Sequence, residues 1–215
     1  MAPLPPYRSE REAICDLFDE LGPDAPTLDE GWTTTDLAAH LYVREHSLKG
    51  GVGIVVPQVS GWHDDAIART KDARTYAEIV EAVRSGPPFG PFRLLDAQIN
   101  LQEMFVHHED VRRGGGDTTP RPTDEIAEVE AALWTSFHRM HRMATRNVKG
   151  VRLELINSEH PDDTIDAGHG DDTVQVVGRP GEIVLYLLGR TEAAHVELIG
   201  SDAAVATLES CTLGI

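Results

Sequence analysis

The pattern of apolar residues changes at Gly150, and that change constrains the fold more than any other feature. Before it, apolar residues recur three and four apart, as in Ile14, Leu17, Phe18 and Leu21, or Ile126, Val129, Leu133, Phe137 and Met140. After it, Val151-Arg-Leu-Glu-Leu-Ile156 alternates. The first period belongs to amphipathic helices and the second to half-buried strands. A chain that keeps the two in separate blocks reads as α+β. The expected division is a helical domain over 1–150 and a small α+β module over 151–215, joined at Asn147–Gly150.

Within the first block, helices are expected over Ser9–Leu21, from a cap at Thr33 to His46, over His63–Lys71, Tyr76–Arg84, Leu94–Arg113 and Asp124–Arg146. Gly22-Pro23, Ser85-Gly-Pro-Pro88 and Gly114-Gly-Gly116 interrupt the series. Thr33-Thr-Thr-Asp36 has the form of a capping box. Residues 49–62 read as a long glycine-containing loop. Four or five helices of this kind fit a bundle. In the second block, strands are expected over 151–156, 163–166, 173–177 and 194–199, with helices from Pro180 through Leu188 and over Ala203–Leu208.

Asp and Glu total 36 against 19 Lys and Arg, for a net charge of −17. That balance opposes the phosphate contacts behind nucleic-acid binding and adhesion to anionic membranes. No apolar run is long enough to span a bilayer. The first residues lack a basic segment followed by an apolar one, so no secretory signal is read there. Cys15 and Cys211 make no disulfide framework. A reduced, cytoplasmic setting is the simplest expectation.

The chemistry concentrates in Leu101-Gln-Glu-Met-Phe-Val-His-His-Glu-Asp110. Glu103 and His107 are four apart and share one helical face; Asp110 extends it, and Asn100 precedes it by three. A carboxylate and an imidazole so placed can grip one divalent ion. His40, on the face of Leu37 and Leu41, is a candidate third ligand, or else a hydrogen-bonded core histidine. Two histidines and a carboxylate from two helices make an open metal site. His108 points about 100° away around the helix. His138 and His141 sit among Arg139, Arg142 and Arg146, which would repel a cation. His46, His63, His160, His169 and His195 have no partner at chelating spacing.

Three segments together carry a family resemblance: Gly31-Trp-Thr-Thr-Thr-Asp-Leu-Ala-Ala-His-Leu41, Glu103-x-x-x-His107-x-x-Asp110, and Leu185-Tyr-Leu-Leu-Gly-Arg190. In order and spacing the chain resembles the mycothiol-dependent maleylpyruvate isomerases of the DinB-like metal-binding superfamily, nearest a metal-binding branch of that family. The resemblance implies a DinB-like four-helix bundle followed by a small sterol-carrier-like α+β module. It implies His40, Glu103 and His107 as metal ligands, Asp110 close by, and Arg190 reaching in from the second module. Tyr186 departs from the tryptophan that isomerases of the family often carry.

The resemblance also implies a divalent metal, Zn²⁺ first and Ni²⁺ or Fe²⁺ as alternatives. It implies mycothiol as a co-substrate, with a small-molecule thiol and a small electrophile as partners. A metal-bound thiol loses its proton readily, so the protein need not supply a nucleophile. Asp110 could orient a ligand or relay a proton, or be a solvent-facing helix carboxylate. Arg190 could hold a substrate carboxylate, or complement a helix C-terminus. Trp32 reads as core packing or a pocket wall. The expected activity is a metal-dependent thiol transferase or isomerase. The alternatives are a non-catalytic metal-binding or ligand-sensing protein, and a lipid-type ligand in the second module.

Overall fold

A computed structural model describes residues 4–46, 60–87 and 90–214. Among these residues the chain is α+β, with eight helices and a four-stranded mixed sheet. The helices before Gly150 are α1 (Pro6–Leu21), α2 (Thr34–His46), α3 (Ser60–Ala73), α4 (Tyr76–Ser85), α5 (Gly90–Arg113) and α6 (Thr123–Ala144). Most of the loop expected over 49–62 lies outside the described residues. Its last positions, from Ser60, form the first turn of α3. No helix among the described residues is long and apolar enough to cross a membrane.

The chain divides into two compact units, Met1–Asp117 and Thr118–Ile215. The division lies ahead of α6, whereas the change of period marks where strands begin. In the first unit α1 packs on α4 and α5, and α2 on α3 and α4. Ile14, Cys15 and Phe18 of α1, Leu37 and Leu41 of α2, Ile67 of α3, Ile79 and Val83 of α4 and Met104 and Val111 of α5 share one core. Burial pushes the Cys15 thiol up to about 12. That makes it an inert core residue rather than a nucleophile.

Helix α5 explains why one segment holds so many ionisable residues. From Asn100 to Val111 every residue but Glu103 is buried, so this stretch of the helix lacks a solvated stripe. Its polar side chains must therefore find partners inside. His108 Nδ1 meets Glu10 Oε2 of α1 at 3.0 Å. Glu109 accepts from Arg112 and Arg113. His108 thus faces α1, as its position around the helix requires.

Thr33 and Asp36 make capping contacts at the start of α2. Asp36 Oδ2 accepts from the Thr33 backbone N–H at 3.0 Å and also from the Thr33 hydroxyl. That carboxylate supplies the return arm of a box at the start of α2. A complete box opens α4: Thr75 accepts from the Glu78 N–H, and Glu78 accepts from the Thr75 N–H.

In the second unit the strands are β1 (Val151–Asn157), β2 (Thr164–Gly168), β3 (Asp172–Gly178) and β4 (Glu197–Ile199). The sheet order is β2-β1-β3-β4. β1 runs antiparallel to β2 and parallel to β3, and β4 is antiparallel to β3. Residues 194–196, expected as strand, precede β4. Helices α7 (Pro180–Leu187) and α8 (Asp202–Glu209) pack on β3, and α6 packs on α7 and β2. Helix α7 is buried along its whole length. Its N-terminal donors need an internal acceptor, and Glu130 of α6 supplies one. Glu130 accepts from the Gly181 N–H at 3.2 Å and from Arg179. Burial raises the Glu130 carboxyl above its ordinary value, opposed by Arg179 and Gly181.

Candidate functional site

Helices α2 and α5 bring His40, Glu103 and His107 together. One ligand-type atom from each lies within 4.8 Å of those of the other two. The His40 and His107 rings stand edge-on, with centroids 4.9 Å apart and planes at 70°. His107 is buried, and His40 and Glu103 are partly buried. Two imidazoles and one carboxylate, gathered at that spacing and partly withdrawn from water, are a donor set that suits a borderline divalent cation.

The surrounding side chains hold these three in place. Asp110, fully buried, accepts from His107 Nδ1 at 2.9 Å. A solvent-facing role for Asp110 is therefore excluded. Asp29, on the loop before α2, places Oδ2 4.0 Å from the same nitrogen. Asp29, His107 and Asp110 form a second, overlapping group of closely spaced donors. Arg44 of α2 sets its Nε 3.1 Å from Glu103 Oε1 and donates from Nη1 to Asn100 Oδ1 at 2.7 Å. Asn100, on the motif's face, thus reaches Glu103 through Arg44.

His63 of α3 lies at the site, although its place in the sequence gave no chelating partner. Its Nε2 is 2.8 Å from His40 Nδ1. Burial lowers the His63 pKa, against the raising influence of Asp64 and Glu103. Trp32 packs against the core, and its ring centroid is 5.5 Å from that of His40. It is both core and site wall. The residues missed from sequence were His63, Asp29 and Arg44. Arg44 alone left a signal, since it follows His40 by four and so shares its face.

His138 and His46 have contacts of their own. His138 Nε2 contacts Asp163 Oδ1 at 2.9 Å on the surface of the second unit, and Trp134 donates to the other oxygen of Asp163. His46 stacks on Tyr42, with ring centroids 4.3 Å apart. Arg190 lies just beyond α7, where its Nη1 donates to the Leu188 carbonyl at 2.9 Å. This contact has the form of a helix C-terminal role.

No protein-family model matches the sequence, and no curated protein does. The fold does match solved structures. The crystal structure of the mycothiol-dependent maleylpyruvate isomerase aligns with a TM-score of 0.57 at 17% identity, covering 92% of this chain and 89% of that one. A histidine-to-alanine mutant of that isomerase aligns with a TM-score of 0.59, at the same identity and coverage. At that identity the likeness is one of fold.

Proposed function

We propose that this chain binds a divalent metal, Zn²⁺ in the first instance, through His40, Glu103 and His107. We further propose that it acts as a metal-dependent transferase or isomerase using a small thiol of the mycothiol type. The observation that carries this reading is the convergence of those three side chains from two helices, with His107 already held by a buried carboxylate. The shared fold supports it. The finer architecture proposed with it is a DinB-like bundle followed by a sterol-carrier-like module. A cytoplasmic setting is proposed with it, on the two free cysteines.

A bound divalent metal would supply the charge that turns a thiol into a thiolate near neutral pH. The chain's own residues do the rest. Asp110 fixes the His107 ring and keeps the proton on Nδ1. Arg44 and Asn100 orient Glu103. Trp32 gives the His40 side of the site an apolar wall. Arg190 is proposed, from the Leu185–Arg190 segment, as the anchor for a carboxylate on a small electrophilic substrate.

Elemental analysis of protein purified without a nickel column tests the metal. Wild type should carry close to one equivalent, His107→Ala far less, and His138→Ala as much as wild type. Equal metal in wild type and His107→Ala would sink the assignment. Calorimetric titration of mycothiol then tests the thiol. Binding to the metal-loaded protein, with none to the metal-free protein, supports the transferase or isomerase. No binding to the loaded protein leaves the alternative, a non-catalytic metal-binding or sensing protein.

A further inference from the structure

In each of the candidate ligand histidines His40 and His107, Nδ1 meets a side-chain partner, and the two partners differ in kind. His107 meets a carboxylate, which accepts and has no proton to give. Its proton is therefore set on Nδ1, and its lone pair is left on Nε2. His40 meets another imidazole, His63, across 2.8 Å. An imidazole can accept or donate.

Two tautomeric arrangements satisfy the His40–His63 contact. In one, His40 Nδ1–H donates to the lone pair of His63 Nε2, and His40 Nε2 carries the lone pair a cation needs. In the other, His63 Nε2–H donates to His40 Nδ1, and His40 presents an N–H from Nε2. The second arrangement is useless for coordination. The rings stand edge-on, with centroids 4.9 Å apart and planes at 79°. His63 is carried on α3, which packs along α2, so its ring is delivered by a helix rather than by a loop.

We propose that His63 is a positioning residue for the metal site: it accepts from His40 Nδ1 and so holds His40 Nε2 as the donor atom. The site then has one nitrogen-holding partner from each side, Asp110 for His107 and His63 for His40. The inference rests on the metal reading above for its purpose. The tautomer itself is a property of the metal-free protein.

The test uses two variants and two readouts. Long-range ¹H–¹⁵N correlation spectra of the metal-free protein report which His40 nitrogen bears the proton. Competition with a chelating dye reports Zn²⁺ affinity. Wild type should show His40 protonated on Nδ1. His63→Leu removes the acceptor, should mix the His40 tautomers, and should weaken Zn²⁺ binding by roughly 10–100-fold, the usual effect of losing such a partner. His63→Gln retains an acceptor oxygen and should recover most of both. An unchanged tautomer and affinity in His63→Leu would overturn the proposal. So would a His63→Gln protein as impaired as His63→Leu while melting like wild type. If wild type binds no Zn²⁺, the metal reading fails by itself, and the tautomer spectra still decide the role of His63.

Discussion

His107 donates from Nδ1 to Asp110 Oδ2 across 2.9 Å, within one turn of α5, and Asp110 has no exposed surface. A carboxylate is buried at a high desolvation cost unless partners offset it. Here one partner is a candidate ligand, so the cost is tied to holding that ligand. Asp110→Asn keeps the shape and loses the charge. It should weaken Zn²⁺ binding by about 10–100-fold in a chelator competition while leaving the helical circular dichroism intact. Wild-type affinity in Asp110→Asn would show that the pair serves the fold alone.

The loop bearing Asp29 is held against the end of α5, and Gly114 is where they meet. The Leu28 N–H donates to the Asp110 carbonyl at 3.0 Å. A Cβ on Gly114 would lie 2.3 Å from the Pro26 carbonyl oxygen, whereas a Cβ on Gly115 would meet nothing within 4 Å. Backbone cannot swing aside as a side-chain tip can. Gly114→Ala should therefore lose about 1–3 kcal/mol, the range for overpacking, and Gly115→Ala should stay within about 0.5 kcal/mol of wild type. Urea denaturation measures both, and equal midpoints for the two variants would contradict the close approach.

Much of this was legible because it is local. Glu103, His107 and Asp110 lie on one helix, and helical geometry alone puts them on one face. His63 and Asp29 were not legible, because their relation to His40 and His107 is made by packing between elements far apart in sequence. Helix α6 shows the same limit. Its period says that Ile126, Val129, Leu133 and Phe137 are buried, but not that α7 and β2 cover it. The expected strand over 194–199 shortened to Glu197–Ile199 because only those residues pair with β3. Apolar alternation gives a face; a neighbouring strand must supply the ladder.

An ion pair helps hold α3, and with it His63, against α2. Lys71 of α3 forms an ion pair with Asp36 of α2. Burial alone would raise the Asp36 carboxyl. The bonds from Lys71 and Thr33 outweigh it and hold the group below its ordinary value of 3.8. A carboxyl whose pKa is depressed on folding stabilises the fold above the unfolded value. That contribution is lost as pH falls from the unfolded value through the lower folded one. The pair is partly exposed, with side-chain accessibilities of 37% for Lys71 and 20% for Asp36, so solvent screening limits its worth. Lys71→Met should cost about 0.3–1 kcal/mol at pH 7. The gap between wild type and Asp36→Asn should narrow as pH falls below about 4, the ordinary carboxylate value, toward pH 3 and lower. Urea midpoints across that range, with an NMR titration of the Asp36 carboxyl, measure both effects. A gap that stays constant down to pH 3 would mean that the Asp36 charge does not contribute, and that apolar packing alone sets α3 beside α2.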